Sequence, residues 1–136
     1  MSTTDSVRAV IDAYIDADTT GGPLSDLLTD EISIELVGSD RAAHGRAEAE
    51  RYLRKVNVEA FDSTREFVSV TIDEQNGRAA AEILFKGRQI GEYVGIPATG
   101  RIVRVPYSVH VDVADGRISA MRVYALLPGL ISALTS

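Results

Sequence analysis

Residues 101–124 read RIVRVPYSVHVDVADGRISAMRVY. Apolar residues recur at every second position on both sides of Asp115-Gly116, a pair suited to a tight hairpin turn. The stretch predicts a long strand, Arg101–Val113, followed by a last strand, Arg117–Leu126. With Asp115–Gly116 as a two-residue turn, residue 113 pairs with 118, 111 with 120 and 109 with 122. One face of this hairpin then carries Val105, Tyr107, Val109, Val111 and Val113 with Ile118, Ala120, Arg122 and Tyr124. The other carries Ser108, His110 and Asp112 with Ser119, Met121, Val123 and Ala125.

Working back toward the N-terminus, a glycine-punctuated link, Gly91–Gly100, precedes the hairpin. Before it, strands near Arg65–Asp73 and Arg78–Gly91 are joined by a turn containing Asn76–Gly77. Arg46–Glu59 reads as a helix with Ala49, Tyr52, Leu53 and Val56 on one face. Glu31–Val37 alternates Ile32, Ile34 and Leu36 against Ser33 and Glu35, a strand pattern, and Gly38–Gly45 reads as a loop. The first helix begins near Thr4–Ser6, buries Val7, Val10, Ile11, Tyr14 and Ile15, and ends over Thr19–Gly22. Pro23 opens a short helix, Leu24–Leu28. Pro128 and Gly129 break the chain before a short C-terminal apolar segment. Helices first and an antiparallel meander after predict an α+β fold, with helices on one face of a sheet.

The 136 residues are 45% hydrophobic and 25% charged, a globular composition sized for one domain, 1–136. The net charge of −6 argues against nucleic acid and anionic membrane surfaces as partners. With no cysteine in the sequence, disulfide and thiolate chemistry are excluded. His44 and His110 are not at metal-ligand spacing, and no calcium-binding loop pattern occurs, so neither metal nor cofactor is expected. Met1–Asp5 lacks a basic region followed by an apolar run, and no stretch reaches membrane-spanning length, so the expected location is cytoplasmic.

Three stretches resemble known proteins. Gly91-Glu-Tyr-Val-Gly-Ile-Pro-Ala-Thr-Gly-Arg101 resembles the strand-linking signature of SnoaL-like polyketide cyclases. Asp115-Gly116-Arg117-Ile118 is similar to the final hairpin of that group. Ala13-Tyr14-Ile15 with His44-Gly45-Arg46 is similar to ketosteroid isomerases. Together they resemble the nuclear-transport-factor-2-like superfamily, whose fold is a cone of helices packed on a strongly curved, mostly antiparallel sheet around a small-molecule pocket.

The resemblance implies site residues. Tyr14 matches the tyrosine that donates a hydrogen bond to a developing enolate; the alternative is a core tyrosine whose hydroxyl finds a backbone acceptor. Glu35 resembles the place of the isomerase general base, although the loop before His44 is one residue longer; otherwise it is a solvated strand residue. A carboxylate inside an apolar cone is pushed toward the neutral form, which suits a base acting near pH 7. The hairpin leaves two assignments open. Its valine face lies under the helices, with His110 and Asp112 in water, or the faces are reversed. The resemblance implies the reverse, with Ser108, His110, Met121 and Val123 on the pocket wall. The outer sheet face is then apolar, and a homodimer is expected through it, with Tyr107, Val109, Arg122 and Tyr124 near the contact.

Departures from the relatives limit the chemistry. Limonene epoxide hydrolases carry an acid in the last strand where this chain has Val123; Glu92 stands for the other acid of that site, with no Arg–Asp pair evident beside it. SnoaL-like cyclases also usually carry a last-strand acid, and Ser119–Leu127 contains none. Proton transfer therefore falls to His110, or to Glu35 with Tyr14, with Ser108, Met121, Val123 and Glu92 contacting substrate. The leading expectation is a cofactor-independent acid–base enzyme that cyclises or isomerises next to a carbonyl of a polyketide- or steroid-like substrate. The alternatives are a non-catalytic ligand-binding or scaffold protein, and an epoxide hydrolase.

Overall fold

The computed structural model describes residues 6–136. Helix α1 spans Val7–Thr20 and ends at Gly21, whose φ of 74° gives the left-handed turn that closes it. Ser6 caps α1 by accepting from the Ala9 amide, so the cap expected over Thr4–Ser6 falls on its last residue; Thr4 and Asp5 lie outside the described residues. Glu74 also reaches this helix start, accepting from the amides of Val7 at 2.8 Å and Arg8 at 3.1 Å. A carboxylate there satisfies orphan amides and complements the helix dipole.

A 3₁₀ turn, Ser25–Leu27, leads to strand β1 (Leu28–Leu36), and the expected loop after it contains a short strand, β2 (Ala42–His44). Helix α2 (Arg46–Arg54) continues through a wider π turn, Lys55–Glu59. Strands β3 (Phe61–Asp73), β4 (Arg78–Gln89), β5 (Ile102–Ala114) and β6 (Arg117–Tyr124) follow, then helix α3 (Leu126–Thr135). The six strands form one sheet in the order β2-β1-β6-β5-β4-β3. Only β1 with β6 is a parallel pair. The fold is thus α+β, three helices against a mixed sheet.

The expected break at Pro128–Gly129 is a continuous helix. Pro128 falls in the first turn of α3, where its missing N–H removes no intrahelical bond. Gly129 lies where α3 crosses β5; a Cβ on it would come within 2.5 Å of Val105 Cγ1. Helix and strand can approach this closely only without a side chain there.

The turn at Asp115–Gly116 is as read, with Val113 opposite Ile118, but the register slips at once. Asp112 pairs with Ala120, which leaves Ser119 as an extra residue, a β-bulge. Beyond it Val111 faces Met121, Val109 faces Val123, His110 faces Arg122 and Ser108 faces Tyr124. Neither expected face survives whole. The valines of β5 point inward, as do Met121 and Val123, while Ser108, His110 and Arg122 share the other face. Of the four residues expected near a dimer contact, Tyr107 and Val109 cannot lie at an outer one because both line the interior, whereas Arg122 and Tyr124 do face outward.

Gln89 is a polar residue buried in the core. It is 1% exposed and uses all of its hydrogen-bonding capacity on the loop that follows β4. Its amide group donates to the carbonyls of Gly91 (3.0 Å) and Ile96 (3.1 Å), and its oxygen accepts from the Thr99 amide (2.9 Å) and hydroxyl (2.7 Å). The Gly91–Gly100 link is thereby tied to the sheet. Gln89→Leu keeps the volume but orphans these partners, and should lower stability by about 2–4 kcal/mol in urea denaturation.

Candidate functional site

The inner face of the sheet, α1 and α2 enclose a cavity of about 70 Å³. Its walls are mostly aliphatic, among them Ile11, Val56, Val109, Val111, Met121 and Val123. Ile11, Tyr14, Ile15 and Asp18 recur at helical spacing, so one stripe of α1 brings all four to the cavity. On β3 the inward positions are Phe61, Ser63, Arg65 and Phe67. A bulge at Val68 shifts the register, so that Val70 also reaches the cavity. The π turn after α2 presents Val56 and Asn57, and Tyr52 and Tyr107 complete the polar lining.

Asp18 is the one carboxylate among the lining residues, and it is paired. Arg65 Nε donates to both of its oxygens, at 2.8 and 3.0 Å, with the side chains only 10% and 6% exposed. Arg65 Nη1 donates to Ser63 Oγ at 2.6 Å, and Ser63 donates to the Asn57 carbonyl at 2.8 Å. Taking both charges out of water is expensive and is offset only by such complete bonding.

The phenols behave differently. Burial pushes the hydroxyl of Tyr14 well above its ordinary value, helped by the nearby Asp18 carboxylate, and does the same to Tyr107. Tyr52 is raised by burial and by Tyr93, Tyr107 and Tyr14, so these phenols lie close enough to influence one another. Among the described residues, the hydrogen bonds at the cavity join Arg65, Asp18, Ser63 and Asn57. The hydroxyls of Tyr14, Tyr52 and Tyr107 take no part in them. They are neutral donors available to an oxygen placed in the cavity.

Of the residues expected to form a site, the structure gathers Tyr14, Met121 and Val123 at the cavity. It does not bring His110 or Glu35 there. His110 is exposed on the outer face, its ring packed edge-on against Tyr124 with centroids 5.3 Å apart. Glu35 is exposed on the same face, opposite Arg122 of β6. Ser108 follows them outward because it pairs with Tyr124. Glu92 lies in a separate cleft, where it bonds the Gly95 amide and stands 3.8 Å from Lys55. Asp18, Arg65, Tyr52 and Tyr107 were not anticipated as site residues. Asp18 was detectable, since a carboxylate four residues after Tyr14 continues an otherwise apolar helical stripe.

The SnoaL-like domain family matches residues 7–121. The chain belongs to this family. Solved structures share its fold over nearly the whole chain. A candidate polyketide cyclase from Xanthomonas campestris is 22% identical with a TM-score of 0.83, covering 98% of this chain and 100% of that one. TsrD from Streptomyces laurentii is 22% identical with a TM-score of 0.78, covering 99% and 98%. A candidate ketosteroid isomerase from Kribbella flavida is 20% identical with a TM-score of 0.68, covering 90% and 81%. No curated protein matches the sequence. SnoaL-like membership accords with a protein built around a small-molecule pocket, and none of the described helices is long and apolar enough to cross a membrane.

The buried phenols give this SnoaL-like chain a defined alkaline limit. Tyr93, also raised by burial, reaches about 12 against an ordinary 10. Above pH 10 the unfolded chain releases phenol protons that the folded chain keeps, so stability complete below pH 10 is lost as pH rises toward the folded values. The loss should be about 1.4 kcal/mol per pH unit for each such phenol. Urea denaturation between pH 9 and 11, with tyrosinate absorbance read in parallel, should show stability falling while folded-state ionisation lags.

Proposed function

We propose that this SnoaL-like protein is a cofactor-independent acid–base enzyme that moves a proton next to a carbonyl. Asp18 takes the proton, and Tyr14, Tyr52 and Tyr107 hold the oxygen. The observation that carries the reading is the set of three cavity-lining phenols, shifted by burial so that they stay protonated, beside a single carboxylate. When a carbon next to the carbonyl loses its proton to the Asp18 carboxylate, negative charge moves to the oxygen. Preorganised donors stabilise that charge more than they stabilise the neutral ketone, which is what lowers the barrier. Return of the proton to the same or a conjugated carbon completes exchange or isomerisation, and attack by the enolate on a second carbonyl gives cyclisation.

The cavity is smaller than the roughly 150 Å³ pocket known to hold benzene, so it takes the oxygen-bearing end of a substrate rather than a whole polyketide or steroid skeleton. A second reading, binding without catalysis, is favoured by one feature: Arg65 Nε bonds both Asp18 oxygens, so the carboxylate is already engaged before any substrate arrives.

Exchange of the α-hydrogens of 2-pentanone in D₂O, followed by NMR, separates the two. The enzyme reading expects exchange above the buffer rate, lowered by roughly 10²–10⁴ in Asp18→Asn and by roughly 10²–10³ in Tyr14→Phe. His110→Ala and Glu35→Gln should leave it unchanged. Binding of 2-pentanone without catalysed exchange would select the non-catalytic reading.

A further inference from the structure

A second recess, of about 600 Å³, lies between β2, α2 and the loop after β4. Ile34 and Leu36 form its apolar floor, and Tyr52 belongs to its wall as well as to that of the inner cavity. The two spaces therefore adjoin at one side chain. Tyr52 thus stands between a cavity too small for a ligand of ordinary size and a cleft with room for one.

The charges of this cleft are unevenly satisfied. Glu48 accepts from the His44 amide at 3.0 Å, and Glu92 is engaged by the Gly95 amide and Lys55. Among the described residues Arg41 and Arg51 form no ion pair, although Asp40 shares the rim. Arg41 stands near enough to the Tyr93 hydroxyl to favour its ionised form, against the burial that raises it. Arg41 and Tyr93 both line the cleft, and a guanidinium and a phenol converging on one space form a donor set suited to a carboxylate.

The loop that positions Tyr93 is held in an unfavourable shape. Tyr93 and Ile96 exchange backbone hydrogen bonds of 3.0 and 2.9 Å around a two-residue turn, Val94–Gly95. Both turn residues have positive φ, 44° at Val94 and 84° at Gly95. Glycine adopts this freely, but for a β-branched valine it is a true outlier. Gln89, beneath the loop, supplies the bonds that hold it. Backbone strain of this kind collects where a side chain must be fixed for use.

We propose that this cleft binds the carboxylate end of an oxo acid, with Arg41 and Tyr93 as its anchor, while the ketone end passes Tyr52 into the inner cavity. The proposal rests on the reading of the inner cavity as the ketone's site and names the substrate class: a linear or ring-bearing molecule with a carbonyl at one end and an acid at the other. Arg51, on the same wall, adds long-range attraction for the anion.

The test uses 5-oxohexanoate, 7-oxooctanoate and 9-oxodecanoate, each against the 2-alkanone of equal length, with affinities measured by calorimetry. At one or more lengths the oxo acid should bind at least about tenfold more tightly than its ketone, as charge-assisted hydrogen bonds imply. That ratio should collapse toward one in Arg41→Gln and fall in Tyr93→Phe, with folding checked by circular dichroism. A ratio near one at every length in the wild type, or one that survives in Arg41→Gln, overturns the anchor. The inner-cavity reading fails separately if the 2-alkanones do not bind, or bind equally well to Tyr14→Phe. Anchor failure with Tyr14-sensitive ketone binding leaves the cavity reading standing.

Discussion

Ser119 stands opposite no residue of β5 in the ladder, and from that one extra residue follows the division of the sheet into a dry face and a wet one. The bulge turns Met121 and Val123 toward the helices, where Val109 and Val111 meet them, and the same half-step turns Arg122 outward beside His110 and Asp112. There Arg122 bonds both oxygens of Asp112, at 3.1 and 3.2 Å, and holds that carboxyl below its ordinary range. A side-chain period of two makes this all-or-nothing: without the insertion, β6 would bury a guanidinium or expose a methionine. The bulge at Val68 acts likewise on β3, letting Phe67 and Val70 both face the cavity. Added bend and twist at such points suit a sheet that must close around a small space.

That dry interior also holds polar side chains. Tyr52, Tyr107 and Tyr14 line the cavity together. Asp18 and Arg65 line it as well, tied onward to Ser63 and Asn57. An apolar core of the same volume would serve stability at least as well, since buried ion pairs rarely repay their desolvation. The Asp18–Arg65 pair satisfies itself, whereas the phenol hydroxyls take no part in the hydrogen bonds of the cavity, which accords with the proposed ligand site.

The fold was legible because its signals are local. Asn76–Gly77 and Asp115–Gly116 fix hairpins, and alternating valines mark strands whatever their partners. The site was only partly legible. Tyr14 was singled out by its match to the isomerase tyrosine, and it reaches the cavity because it lies on the buried stripe of α1. Met121 and Val123 were assigned to the right wall and His110 to the wrong one by a single error, the assumption of an unbroken register after a two-residue turn. Nothing in the spacing of residues 113–124 announces that Ser119 is supernumerary; that is decided by which side chains tolerate burial. The Asp18–Arg65 pair was hidden for another reason. Forty-seven residues separate its members, and each alone resembles an ordinary surface charge.

The parallel β1–β6 pair has a consequence for how the molecule comes into being. β1 emerges among the first elements, yet one of its two neighbours is the last strand made. Until residues 117–124 have left the ribosome, its long edge stays unpaired and its isoleucines uncovered. The β3–β6 meander, whose neighbours follow one another in sequence, can assemble without it. Loop-closure entropy thus favours an order in which the C-terminal half folds first and receives the N-terminal strand last. During that interval the nascent N-terminal third is the part most in need of a chaperone.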